Sequence, residues 1–185
     1  MTTASWVILI VAIIAVVLAL VMAFRLRSKK LRSRFGPEYD RLVRERGGTL
    51  TAERELENRE KRVGNFKIRT LSSDECIQFA HDWRATQERF VDNPRAALAE
   101  ADGVVHRVMK ARGYPIGGEF DQRAADLSVD HPGVVEHYRT GHDIAVRGAQ
   151  NGATTEDLRL AMKHYRALFE DLLGSHVDEV TGVRR

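Results

Sequence analysis

The sequence predicts an all-α protein: a single N-terminal transmembrane helix, a charged helical stalk and a small cytoplasmic helical bundle. Three observations lead there. Residues Trp6 to Phe24 run without a charge, a glycine or a proline. Beyond them apolar residues recur at helical spacing, and no stretch alternates apolar with polar residues for more than a few positions. Phe66 to Leu71 is the only brief candidate for extended structure. With 185 residues, 30% charged and 43% hydrophobic, the chain suits one modest domain plus an appendage, and excludes wholesale disorder and a many-span membrane protein.

The anchor, residues 1–24, comes first. At a helical rise of about 1.5 Å per residue the uncharged run covers roughly 28 Å, close to a bilayer core of about 30 Å. A cleaved signal peptide would set basic residues before a shorter apolar core. Here the order is inverted: no Lys or Arg precedes Trp6, while Arg25, Arg27, Lys29, Lys30, Arg32 and Arg34 follow in the juxtamembrane segment 25–34. Such clusters stay on the cytoplasmic side, which predicts the N-terminus outside and the bulk of the chain inside. The same six side chains face lipid, where each is worth about 1 kcal/mol near an anionic leaflet. No Asp or Glu occurs before Glu38, so the net charge of +3 resides in this segment and nucleic acid is not an expected partner. Ala15, Ala19 and Ala23 repeat every fourth residue, a small-residue face suited to a homodimer.

Segment 35–71 reads as the stalk. Pro37 suits a first helical turn, and Gly47-Gly48 ends that helix with a left-handed cap. The next helix has only Ala52, Leu56 and Val63 as apolar residues, which describes a solvated helix held by charge pairs three or four apart.

The bundle is expected over 72–174. Ser72 and Glu75 form a capping box ahead of Cys76, Ala80, Trp83 and Phe90 at helical spacing. Asn93-Pro94 starts a second helix, with Leu98, Ala101, Val105, Val108 and Met109 as its stripe and Gly113 as its stop. A short helix from about Glu119 to Leu127 follows. The next, about Pro132 to Ala149, has Val134, Val135, Tyr138, Ala145 and Val146 as its apolar side. Thr154 or Thr155 caps the last, which carries the clearest amphipathic pattern, through Leu158, Met162, Tyr165, Leu168 and Leu172. Short connections favour antiparallel neighbours. Residues 175–185 read as a frayed, flexible tail.

The segments RFGPEYDRLV, FVDNPRAALAEADGVVHRVMKARGYP, FDQRAADLSVDHPGVVEHYRTGHDIA and TTEDLRLAMKHYRALFEDLL, within Arg34 to Leu173, resemble a bacterial family of uncharacterised small helical proteins. The resemblance implies a bacterial source, hence an inner (plasma) membrane location, and no activity, cofactor or catalytic residue.

Chemistry concentrates in one segment. Asp126, Asp130, His131, Glu136, His137 and His142 are suitable ligand types for zinc or iron. Their spacing argues against a preformed site: His137 and His142 are five apart, whereas one-face binding uses i, i+3 or i, i+4. No metal and no cofactor is therefore expected, with Asp126, His131, His137 and His142 as the residues that the alternative, a metal- or small-ligand-binding bundle or an enzyme, would use. Asp126, Asp130, His137 and Tyr138 are the expected interaction surface. Cys76 is the only cysteine; a first-turn position favours the thiolate, but the apolar stripe it shares with Ala80 and Trp83 makes it a buried filler. Phosphate loops and nucleophile elbows are absent from the sequence. The expected function is a membrane-anchored adaptor or scaffold that binds another protein.

Overall fold

The computed structural model describes residues 3–174; the expected tail, 175–185, lies outside the described residues. Among those described the chain forms eight helices and no strand, and Phe66 to Leu71 is an irregular link. α1 (Thr3–Phe35) carries the apolar run and the basic run as one continuous helix. Within it Ile10–Phe35 is long and apolar enough to cross a membrane, with a mean hydropathy of 2.5 in its most apolar window and none of that window buried. A core helix of a water-soluble domain would have that surface covered.

The chain divides into two compact units, Met1–Leu56 and Glu57–Arg185. The division falls inside α3 (Thr49–Val63) and not at the 71/72 boundary expected between stalk and bundle. The reason lies in the bonds of the intervening residues. Arg59 donates to Ser128 at 3.3 Å and Arg62 to Asp126 at 2.7 Å. The Arg69 amide donates to the Arg112 carbonyl at 2.9 Å, and Leu71 joins the core of the second unit with Phe66 and Ile68 packed against it.

In the first unit α2 (Pro37–Arg46) opens on Pro37 and closes on Gly47, whose φ of 70° is the left-handed value glycine adopts freely. Leu31, Phe35, Tyr39, Leu42, Ala52 and Leu56 are all buried, so these charged helices are not solvated on every side. Two carboxylates go inside with them. Glu38 receives the Arg41 guanidinium at 2.7 and 2.8 Å, and Glu53 accepts from the Tyr39 hydroxyl at 2.9 Å and from the Ser28 hydroxyl.

The second unit contains α4 (Ser73–Arg89), α5 (Pro94–Arg112), α6 (Phe120–Asp130), α7 (Val135–Ala149) and α8 (Thr155–Leu173). Local signals act as read. The Ser72/Glu75 and Thr154/Asp157 capping boxes both form, Asn93 caps α5, and Gly113 ends it at φ 96°. α5 is the hub, packed against α4, α7 and α8, while α7 against α8 is the most extensive pairing. Gly148 marks the closest approach of that pairing: a Cβ there would stand 2.8 Å from the Leu158 Cδ2, whereas at Gly141 it would meet the His164 Cβ and the Tyr165 ring at 3.4 Å. The buried face of α7 is consequently Val135, Tyr138, Gly141, Ile144 and Gly148, and Val146, expected on the apolar side, is exposed.

Candidate functional site

The histidine and aspartate segment does not converge. Asp126 is buried at 4% exposure and bonded to Arg62, with Gln122 donating to the same oxygen at 3.1 Å. Asp130 accepts from the Tyr114 hydroxyl at 2.9 Å, and His131 pairs with Asp171. His137 shares a 2.8 Å Nδ1 to Nδ1 contact with His164 on α8. His142 instead stacks on Phe120, ring centroids 3.7 Å apart and planes 4° off parallel. No group of three or more His, Cys, Asp or Glu residues stands close enough to hold a metal ion among the described residues.

Two members of the expected interaction surface are also inside. Tyr138 is fully buried and Asp126 nearly so, because each found a polar partner distant in sequence, His106 for the one and Arg62 for the other. A tyrosine goes inside readily when its hydroxyl has such a partner. Asp130 is exposed and His137 half-buried.

What α5, α6, α7 and α8 do bring together is a different polar layer. The His106 Nε2 lies 3.1 Å from the Tyr138 hydroxyl, and its Nδ1 lies 3.6 Å from Asp102, one helical turn earlier on α5. The Tyr138 and Tyr165 rings meet edge to face at 6.3 Å, and Phe120 packs on Tyr138 at 4.7 Å. Burial pushes the Tyr138 phenol up to about 12 and raises Tyr165 too, the Asp102 charge adding to both. Burial also lowers His106 and His142, against an opposing pull from Asp102 and with Arg123 adding to the fall. Every one of these shifts favours the neutral form, so at pH 7 the layer holds protonated phenols and uncharged imidazoles, a donor and acceptor network. Asp102 faces the Tyr165 hydroxyl and Arg123 the Tyr138 hydroxyl, which joins both charged side chains to the layer. Burial raises the Cys76 thiol, as does Glu75, so the first-turn position does not activate it.

One surface feature with binding geometry among the described residues lies between α4 and α8. Both helices pack on α5, yet their backbones scarcely approach each other. They meet through side chains: the Trp83 and Phe169 rings stack at 4.7 Å, 15° from parallel. Two hollows follow this gap and share Gln87 and Arg166. One, of about 240 Å³, is floored by Phe90 and Met162; the other, of about 140 Å³, by Trp83, Phe169 and Ala80. Arg84, Arg159, Lys163 and Arg166 line the pair, against one lining carboxylate, Glu170.

Sequence reasoning missed the groove. The signal was present only in halves, as Trp83 and Phe90 on one helix and Met162 and Phe169 on another. Compared with protein-family models, with curated proteins and with solved structures, the chain finds no match. No relative lends it an activity.

Proposed function

We propose that the protein is a single-pass anchor in a bacterial inner membrane, N-terminus outside, that presents a cytoplasmic helical bundle to another protein. The supporting observation is α1, in which an uncovered apolar stretch passes without a break into Arg25, Arg27, Lys29, Lys30, Arg32 and Arg34. That order suits a stop-transfer flank, with the cations lying against anionic headgroups on the inner face. Ala15, Ala19 and Ala23, exposed along α1, offer a close-approach face to a second copy. The bundle contributes a binding surface, a groove with an apolar floor and a basic rim.

Impermeant maleimide labelling of intact cells tests the reading. In a Cys76→Ala background, Ser5→Cys should label from outside and Asp92→Cys only after lysis. A photo-crosslinker at Gln87, in the groove, should give a discrete adduct where one at Asp143, exposed on α7, gives none. Labelling of Asp92→Cys alone on intact cells would reverse the orientation, and a protein freed from membranes by a salt wash would remove the anchor.

A further inference from the structure

We infer that the groove between α4 and α8 receives an acidic amphipathic helix of a partner protein, its apolar stripe on the Trp83 and Phe169 floor and its carboxylates on Arg84, Lys163 and Arg166. The inference rests on the anchored-module reading and specifies the partner's chemistry.

Shape is the first argument. Because α4 and α8 both lie on α5 and stand apart from each other, the gap is elongated along the helices, which suits a helix laid into a groove better than a compact small molecule. The floor is aromatic and aliphatic over its length, from Phe90 and Met162 in one hollow to Trp83, Phe169 and Ala80 in the other. An anionic headgroup on the rim would leave this floor uncovered.

Charge is the second argument. From Phe35 onward the chain is net acidic, so a rim of four cations and one carboxylate is a local exception. Arg159 is engaged by Glu156 at 2.6 Å and Arg166 by Glu170 at 2.6 Å. Arg84 and Lys163 form no ion pair among the described residues, although Lys163 helps Arg159 to lower the Glu156 carboxyl. A facing surface that shares the rim's sign is repelled, and one of opposite sign gains on-rate and register.

The test uses the full chain with Trp6→Phe, so that Trp83 is its sole tryptophan, in nanodiscs of phosphatidylcholine. Two labelled peptides are titrated, both with leucines at i, i+3, i+4 and i+7, one carrying glutamates on its flanks and the other lysines. Peptide anisotropy and Trp83 emission report binding. The glutamate peptide should bind at least about tenfold more tightly than the lysine peptide, and the Arg84→Glu/Lys163→Glu variant should reverse that order. Both positions are exposed, and an unchanged helical spectrum confirms that the variant is folded. Three results would overturn the inference: equal or no binding of the two peptides, a Trp83 response to anionic vesicles in place of peptide, or a change from two copies per disc to one in the charge-reversed variant. Neither topology nor crosslinking enters these readouts, so their failure leaves the anchored-module reading standing.

Discussion

The two units solve burial in different ways. In the second, α5 contributes seven buried residues, Ala97, Leu98, Ala101, Val104, Val105, Val108 and Met109, without a polar side chain among them. In the first, α2 buries Glu38 as well as Tyr39 and Leu42, and α3 buries Glu53 beside Ala52 and Leu56. Where apolar residues are plentiful, packing carries most of the burial, and the few buried polar groups of the second unit, Arg59, Thr86, Asp126 and Ser128, sit among a much larger apolar core. Where they are scarce, carboxylates enter the interior, and each must be supplied with donors because an unpaired buried charge costs more than the burial returns. The first unit should therefore respond to the loss of single hydrogen bonds, and the second to changes of volume and backbone.

The largest effect is expected at Gly113. Its φ of 96° is unfavourable for any residue with a Cβ, and a Cβ there would stand 2.3 Å from the Lys67 carbonyl oxygen, a backbone atom that cannot swing aside. Gly113→Ala should cost the second unit about 3 kcal/mol or more, read from urea denaturation followed at Trp83. A cost under about 1 kcal/mol would mean that the link at 64–72 detaches from the end of α5 with little loss.

A smaller effect, confined to the first unit, is expected from Tyr39→Phe. It removes the 2.9 Å donor to Glu53 and leaves the Ser28 hydroxyl as the remaining donor. The other oxygen, Oε2, already has no partner among the described residues. The loss should be about 1 to 2 kcal/mol, seen as faster amide exchange in α2 and α3 with α5 and α8 unaffected. The same variant made with Glu53→Leu should lose less than Tyr39→Phe alone, since no buried carboxylate then lacks its donor.

How much of this was legible in the sequence follows the range of each interaction. Ser72 with Glu75, Asn93 with Pro94, and Gly113 as a stop all act within four residues, and each was read correctly. The face of α7 was read in part: Val135 and Tyr138 are buried, but Gly141 and Gly148 carry no hydropathy signal, although they fix how closely α8 approaches, and so Ile144 and not Val146 turns inward. Asp126 looked like a surface acid because its partner Arg62 lies 64 positions earlier. The Tyr138 and His106 contact spans 32 positions, and no local spacing announces it. The groove was least legible of all, since it is a space left between two helices by the position of a third.

The smallest effect concerns acid, and it separates the units by composition. No histidine occurs before His81, so the first unit has none. In the second, burial holds the His106, His142 and His164 imidazoles below their ordinary value of 6.5, with the neighbouring His137 lowering His164 further. As pH falls through 6.5 the unfolded chain takes up protons on these groups before the native one does. The unfolded state then binds more protons, stability rises with pH in that window, and the contribution present above 6.5 is lost as pH drops toward the folded values. Between pH 7.5 and 5 the urea midpoint reported by Trp83 should therefore fall, while the exchange protection of α2, corrected for intrinsic rates, should change far less. His106→Gln with His142→Phe should flatten the fall, because glutamine retains a partner for Tyr138 and phenylalanine retains the stack on Phe120 without either taking a proton. An equal loss in α2 would show that acid acts on carboxylates common to both units, and the contrast between a hydrogen-bonded interior and a packed one would not extend to pH.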